Sequence, residues 1–296
     1  IWKYRSLFLM LLPGLCFILL FNYGPMYGLQ IAFKDYSIGR GIWGSPWVGL
    51  KHFKMFFSNA GSLRVLRNTL IISIYRLLLG FPAPIILALI INEVGNKTFK
   101  RFAQTVSYLP HFISWVIAAG IIINVLSPST GIINYFLKAM ETEPIYFMTD
   151  TRWFRTILVL AGIWKEVGWG SVVYLAAISN INTEQYESAI VDGATRIQRM
   201  LYITLPSMLP LISIMLILSM GGIMNAGFDQ IFNMYNPMVY EVADIIDTYV
   251  YRIGLVGMDY SFSAAVGFFK SAVGLTLMMV VQFITRQLGG SEYGLW

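Results

Sequence analysis

Asn180-Ile181-Asn182-Thr183-Glu184-Gln185-Tyr186-Glu187-Ser188-Ala189-Ile190-Val191-Asp192-Gly193-Ala194, running on to Ile203-Thr204-Leu205-Pro206, is a polar break between two long apolar stretches. Asn182 or Thr183 offers an N-cap, and Glu184 and Glu187 follow where the positive end of a helix dipole favours negative charge. Gly193 permits a tight stop or the close approach of another backbone. A second short helix is expected over about residues 195–204. Pro206 is expected to keep it from running unbroken into the apolar stretch beyond. The product is a helix–turn–helix knob with apolar chain on either side.

The chain around this break has 296 residues, 57% hydrophobic and 12% charged, with a mean hydropathy of +0.65. An average soluble domain carries about 25% charged residues. Such a chain has too little polar surface to cover a water-soluble globule, and its many aromatic and branched residues exclude intrinsic disorder. Cys16 is the single cysteine, which excludes a disulfide framework and a thiolate metal cluster. His52 and His111 are too few for a zinc hydrolase or a haem bundle. The net charge of +6 suits anionic lipid or an acidic solute and is specific for neither. Because residue 1 is Ile, the native amino terminus is expected to be longer, and the first apolar stretch exceeds signal-peptide length.

A helix crosses a bilayer with about 20 mostly apolar residues. Six stretches qualify, at about residues 6–29, 68–91, 104–126, 153–179, 207–228 and 261–286. Period-two alternation is missing, so a barrel is excluded and the fold class is an all-α integral membrane protein. Pro13, Pro82, Pro84, Pro110 and Pro210 fall in or beside spans, where membrane helices tolerate them. The expected organisation is a first span and an extracytoplasmic or interfacial loop (1–67), a five-span core (68–286) containing the 180–206 break, and a tail (287–296).

Lys and Arg favour cytoplasmic loops. Lys97, Lys100 and Arg101 in the second connection meet no acid. Asp229, Glu241, Asp244, Asp247 and Asp259 in the fifth face Arg252 alone. The rule puts the second connection inside, the fifth outside and both termini in the cytoplasm, in agreement with Lys3 and Arg5. Lys34, Arg40, Lys51, Lys54, Arg64 and Arg67 would then lie outside, against the rule. An interfacial segment over about residues 47–57, with Trp47, Phe53, Phe56 and Phe57 in the headgroup layer, accommodates the lysines at its edge. On the cytoplasmic face, the 180–206 knob suits a groove on a soluble partner; an ordinary loop with well-capped helices fits the same residues.

Glu187-Ser188-Ala189, three residues, Gly193, nine residues, then Ile203-x-Leu205-Pro206 resembles the EAA motif of ABC importer permeases. The one departure is Ser188, where that motif has its middle Ala. Gly227-Phe228-Asp229-Gln230-Ile231-Phe232 and Asp247-Thr248-Tyr249-Val250-Tyr251-Arg252 are similar to the polysaccharide or complex-oligosaccharide branch of sugar permeases. The resemblance covers essentially the whole chain and implies a type I importer bundle with a cytoplasmic coupling helix. It also implies that Glu187, Ser188, Ala189, Asp192, Gly193, Ala194, Ile203, Leu205 and Pro206 meet an ATP-binding subunit, Glu187 pairing with a basic group there. The implied partners are a second homologous permease, two ATP-binding cassette subunits and an extracytoplasmic solute-binding protein. The implied setting is the bacterial cytoplasmic (inner) membrane and its lipid. The chain has no G-x-x-x-x-G-K-[ST] loop to cradle phosphate, so ATP and Mg belong to the partner and no cofactor or metal is expected here. The implied function is permease of an ATP-driven importer for a saccharide, with no nucleic acid involved and no enzyme activity of its own.

Ionisable residues inside spans are costly and usually face the bundle interior. In the topology above, Arg76, Lys165 and Lys270 lie roughly 12, 18 and 14 Å below the outer face at about 1.5 Å per residue. Three cations at similar depth suggest an outward-opening cavity for an acidic oligosaccharide, for example one with uronic acids; a neutral oligosaccharide fits if the cations are paired. Lys165 and Trp169 share a helix face as a cation-plus-ring surface for a sugar. Glu166 points about 100° away, which makes Arg76 rather than Lys165 its expected partner. Asn225 and Asp229 are expected on one face of the fifth span, with Gln230 and Asn233 following, as donors and acceptors for sugar hydroxyls. Structural pairing of the same charges is the competing reading, with His111 a polar residue near a span end and Gly221-Gly222 a close helix contact. A secondary transporter would want inverted repeats, and a membrane-embedded enzyme a catalytic cluster; neither is visible in the sequence.

Overall fold

The computed structural model describes residues 5–289, in which every regular element is helical; an isolated antiparallel bridge joins Lys34 and Trp47. In chain order we label α1 (Phe8–Phe33), α2 (Lys51–Ser58), α3 (Ala60–Glu93), α4 (Lys97–Phe112), α5 (Trp115–Val125), α6 (Ile132–Ala139), α7 (Thr151–Ser179), α8 (Thr183–Val191), α9 (Arg196–Gly221), α10 (Phe228–Met234) and α11 (Tyr260–Gln287). Five of these, α1, α3, α7, α9 and α11, are long and apolar enough to cross a membrane, and α4 with α5 makes a sixth when counted as one broken span.

That break corrects the continuous third span expected from composition. α4 and α5 meet at 106°. Pro110 lies in the 3-10 turn Leu109–Phe112, Ile113 is extended, and Ser114 restarts the helix as an N-cap whose Oγ accepts from the Ile117 N–H at 3.4 Å. Proline and capping serine together make a stop and a start inside one apolar run.

Two other expectations fail, each for a local backbone reason. Pro206 does not interrupt the chain, because a π-type turn over Met200–Thr204 hands the Leu205 N–H to the Met200 carbonyl and widens the helix ahead of the ring. α9 therefore runs 26 residues as one helix and ends at Gly221, earlier than expected. Gly227, at φ +88°, then starts the separate helix α10, so Asn225 and Asp229 do not share a helix face. In α3 a similar π turn over Arg76–Gly80 precedes Pro82 and Pro84, with Phe81 N–H bonded to the Arg76 carbonyl at 3.2 Å.

The chain divides into two compact units, Ile1–Leu63 with Tyr249–Ala272 and Arg64–Thr248 with Val273–Trp296. Aromatic packing organises the first. Phe33 meets Phe53 and Phe268, and Phe56 meets Phe262 and Phe269. Phe56 is 1% exposed, so it belongs to this interior and not to a headgroup layer, whereas Trp47 is exposed. Lys34 is buried, its Nζ donating to the Ile42 carbonyl at 2.7 Å above the Trp47 ring. Lys51, 2.9 Å from Asp35, holds that carboxyl below the usual carboxylate range.

α7 is the axis of the second unit. Phe154, Ile157, Leu158 and Ala161 pack with Ile72 of α3, Ala119 of α5, and Ile231 and Met234 of α10. Farther along, Tyr174 and Ile178 pack with Ile85 and Ala88 of α3 and Met208 of α9. Val116, Ile117, Leu160 and Leu218 stay exposed on the outside, where hydrocarbon rather than water is their solvent. Glycines set the closest approaches. A Cβ on Gly168 would overlap the Ser107 carbonyl of α4, and one on Gly170 would stand 3.0 Å from Pro84 of α3. Gly274 of α11 lies against the Gly221 carbonyl, the close helix contact expected there.

Gly168→Ala is therefore expected to force α4 off α7 and cost about 1–3 kcal/mol, read as a lowered Tm of the purified protein in detergent. Gly14→Ala, on a stretch of α1 with no atom within 4 Å of the new methyl, is the matched control and leaves Tm unchanged or slightly raised.

Candidate functional site

α7 carries Lys165, Glu166 and Trp169 past the break between α4 and α5. Lys165 is 5% exposed. Its Nζ donates to the His111 carbonyl at 2.8 Å, stands 5.5 Å over the Trp115 ring, and lies 3.5 Å from Glu166 Oε1. The helical angle between neighbours predicted no such pair; the long lysine chain bends its ammonium round to meet the carboxylate. Glu166 Oε2 sits 2.8 Å from His111 Nδ1. The Trp169 ring stacks on the His111 ring at 4.9 Å and 6°, with Phe112 edge-on at 5.6 Å. Lys165 and Trp169 thus grip the backbone and ring of one histidine and form no shared cation-plus-ring surface. His111, taken from the sequence as a generic polar residue, is the centre of this site. The available signal was Pro110-His111 followed by the N-capping Ser114 inside an apolar run.

Arg76 makes no direct contact with Glu166, although the two share a cavity wall and the carboxylate acts on the guanidinium electrostatically. It donates to Gln230 Oε1, and Gln230 Nε2 donates to the Leu158 carbonyl at 2.7 Å, so one wholly buried amide links α3, α10 and α7. Glycines make room for the guanidinium: a Cβ on Gly227 would overlap it, and one on Gly162 would stand 3.9 Å from Nη2. Two cavities meet at Arg76. One of about 380 Å³ is also lined by Ser73, Tyr174, Ser219 and Asn225; the other, about 280 Å³, by Trp115, Gly162 and Glu166. Asp229 is exposed, and Asn233 donates to the Asp229 carbonyl within α10. Lys270 belongs to the first unit and is half-buried there. The structure thus brings Arg76 together with Glu166, Gln230 and Asn225, while Asp229 and Asn233 line neither cavity.

A further polar network was not anticipated. Arg155 of α7 donates to Asn68 Oδ1 at 2.8 Å and to the Val242 carbonyl at 3.1 Å, and Asn68 donates to the Glu241 and Asp244 carbonyls. Ile246 N–H donates to Thr69 Oγ1 and Thr248 Oγ1 to Asp244 Oδ1. The acid-rich connection is pinned to α3 and α7 largely through backbone groups, which side-chain patterns do not reveal.

The 180–206 knob is built by its caps. Asn182 Oδ1 accepts from the Glu184 N–H, and Thr195 forms a capping box with Gln198 at the start of α9. At the end of α8, Ala194 N–H donates to the Ala189 carbonyl at 2.8 Å and Gly193 N–H to the Ile190 carbonyl at 3.0 Å. This is a Schellman motif with Gly193 at φ +79°. No atom lies within 4 Å of a Cβ built there, so the requirement for glycine is conformational, not spatial. Tyr186 Oη and the buried Thr204 Oγ1, 2.8 Å apart, fix α8 to the base of α9. Ala189, Asp192, Gly193, Ala194 and Ile203 line an open cavity of about 310 Å³ with Arg199 and Tyr202. Glu187 and Ser188 are exposed on α8, Pro206 is exposed, and Leu205 packs against the Tyr174–Met208 cluster.

Residues 80–289 match the family described as binding-protein-dependent transport system inner membrane component. The chain is 47% identical over 283 residues to protein LplB of Bacillus subtilis (strain 168), covering 96% of this chain and 89% of that one. To the polygalacturonan/rhamnogalacturonan transport system permease protein YteP of the same organism it is 44% identical over 285 residues, again 96% and 89%. Among solved structures it resembles a chain of a bacterial ABC transporter involved in the import of the acidic polysaccharide alginate, at TM-score 0.90, 44% identity and 97% of each chain. The bacterial alginate ABC transporter in complex with an alginate pentasaccharide-bound periplasmic protein gives the same TM-score and identity over 97% of this chain and 96% of that one.

Replacing Lys165 by Met leaves the His111 carbonyl without its donor and should cost about 1–3 kcal/mol, the range for an orphaned buried acceptor. Lys165→Arg, which retains donor and charge, should recover part of it. Thermal unfolding in detergent reads both.

Proposed function

The chain belongs to the family of binding-protein-dependent transport system inner membrane components, a multi-pass translocation subunit whose ATP hydrolysis lies in a partner, and from that premise we propose that its solute is an oligo- or polysaccharide. The saccharide transport named for its relatives supports this reading, as do the few polar groups, Ser73, Arg76, Ser219 and Asn225, on the otherwise largely apolar wall of the cavity at Arg76. The proposed assembly pairs this permease with a second homologous permease, two ATP-binding cassette subunits and an extracytoplasmic solute-binding protein. The proposed orientation puts the 180–206 knob and both termini in the cytoplasm of a bacterial cell, in keeping with Lys97, Lys100 and Arg101 on the second connection.

The observation that carries the coupling role is the Schellman-closed α8. Its caps make the knob rigid, while Glu187, Ile190 and Val191 present a surface that none of the described residues covers. A rigid, exposed amphipathic helix is the form that inserts into a groove. Glu187, Ser188, Ala189, Asp192, Gly193, Ala194 and Ile203 are the proposed contact set, with Leu205 and Pro206 anchoring it to α9. When the ATPase pair closes, a knob held by the Tyr186–Thr204 contact passes the displacement to α9 instead of absorbing it. Arg76, Lys165, Glu166, Trp169, Asn225, Asp229, Gln230, Asn233 and Lys270 remain the proposed solute-pathway set, with Arg76 and Asn225 on a cavity wall and Lys165 in a tethering part.

The test is saccharide uptake by proteoliposomes holding the complete importer, with a panel of oligosaccharides and the solute receptor; uptake of none of them rejects the saccharide reading. Gly193→Ala forces a side chain into left-handed backbone, at about 1–2 kcal/mol. It is expected to cut receptor-stimulated ATPase activity several-fold while the permease itself still folds. Tyr186→Phe should reduce coupling, measured as solute moved per ATP hydrolysed, with basal ATPase activity retained. Unchanged coupling in both variants would reject the role assigned to α8.

A further inference from the structure

α4 opens with cations that its own helix does not favour. Lys97, Lys100 and Arg101 occupy its first turns, the positive end of the helix dipole, where added positive charge is destabilising. Lys97 and Arg101 are exposed and Lys100 is half-buried; among the described residues no carboxylate lies within ion-pair distance of any of them. Beside these cations runs an apolar stripe. Phe99, Phe102, Val106 and Leu109 follow at helical spacing on one face, and each is more than half exposed. On another side of α4, the Ser107 carbonyl lies against Gly168 of α7. Packing places the start of this helix. Ile85 and Ala88 toward the end of α3 pack with Ile178 at the end of α7, and residues 94–96 then lead directly into α4. Its first turns thus stand beside the point where α7 gives way to the 180–206 knob.

Resting on the permease reading and the orientation proposed with it, we propose that α4 is a docking surface for anionic phospholipid of the cytoplasmic leaflet. The lipid phosphates lie on Lys97, Lys100 and Arg101, and the acyl chains lie along Phe99, Phe102, Val106 and Leu109. A basic amphipathic helix binds lipid through buried apolar area and attraction to anionic headgroups together. From Phe99 to Leu109 the stripe runs about 15 Å at about 1.5 Å per residue. That is half of a hydrocarbon core about 30 Å thick, the depth of one leaflet. An acidic soluble partner would reach Lys97 and Phe99 but not Leu109, and free phosphate has no use for the rings. The far end of α4 is held to α7 through the His111 carbonyl and Lys165 Nζ. A lipid bound at the first turns therefore steadies α4 at the end that this contact does not hold, next to the knob.

The experiment titrates the complete importer in detergent with phosphatidylglycerol and, separately, with phosphatidylcholine, and follows lipid retention by native mass spectrometry. Receptor-stimulated ATPase activity is then compared in nanodiscs of phosphatidylcholine alone and of an equal mixture with phosphatidylglycerol. The native importer is expected to retain phosphatidylglycerol in preference and to be more active in the mixture. Replacing Lys97, Lys100 and Arg101 together by Gln should weaken phosphatidylglycerol retention by about fivefold per charge removed, the yield of one Lys or Arg at a membrane surface. Activity in phosphatidylcholine alone should stay at the native level. Lys97→Arg with Lys100→Arg should keep the preference, and Phe99→Ser with Phe102→Ser should lower retention of both lipids. Retained basal ATPase activity certifies assembly of each variant. No preference in the native importer, or an undiminished preference in the triple Gln variant, overturns the proposal. Loss of the ATP-binding subunit from that variant in phosphatidylcholine alone assigns the cations to an acidic protein surface and overturns it too. Lipid retention is read without solute or receptor, so an importer that holds phosphatidylglycerol through these residues yet takes up no saccharide rejects the solute reading and leaves this surface standing.

Discussion

A backbone carbonyl released by a broken helix cannot be left bare in hydrocarbon, where each unsatisfied group costs several kcal/mol. The hydrogen bond from Lys165 Nζ to the His111 carbonyl answers that constraint, and much of the second unit is arranged around it. The break between α4 and α5 exists because Pro110 ends one helix and Ser114 starts another. α7 supplies the ammonium that satisfies the freed carbonyl, the carboxylate that balances the ammonium and meets the imidazole, and the indole that stacks on the ring. Gly168 lets the Ser107 carbonyl of α4 approach closely enough for these groups to reach. Lys165, proposed on the solute pathway, thus also serves as a backbone ligand.

The same constraint explains where the helices widen. The π turns in α3 and α9 each fall just before prolines, Pro82 and Pro84 in one and Pro206 in the other. A proline within an ordinary helix deletes a bond and clashes with the preceding turn. Widening beforehand shifts the bonding by one residue and lets the helix continue. In α3 the wide turn begins at Arg76, so the device that accommodates the prolines also presents the guanidinium to the cavities and to Gln230. Backbone adjustment and candidate solute contact share one residue, in line with the frequent occurrence of π bulges at functional sites.

The coupling knob works by different physics. In the aqueous layer its carbonyls and amides have water as an alternative, so caps are needed to fix one geometry. The N-caps at Asn182 and Thr195 and the Schellman closure at Gly193 do this from within the knob. The glycine of the motif is explained by its left-handed φ and by nothing that touches it. The role proposed for α8 calls for this rigidity, because a fraying end would dissipate the movement of a partner.

The sequence by itself determined the all-helical membrane class, the number of apolar stretches, the caps of α8, the coupling motif, and the family to which Glu187 to Pro206 point. All of these depend on composition or on spacings of a few residues, which a chain carries with it whatever its neighbours do. Only the tertiary structure decided that the third span is broken, that Pro206 is spanned without interruption, and that Asn225 and Gln230 leave the fifth helix. It also decided the partners of the in-span charges, setting Glu166 against His111 and Lys165, and Arg76 against Gln230. Those choices depend on which backbone groups a break sets free and which long side chain from another helix lies within about 3 Å of them. Distances of that kind are fixed by packing across residues fifty to one hundred and fifty positions apart, as in Lys165 with His111 and Arg76 with Gln230. No local pattern in the sequence encodes them.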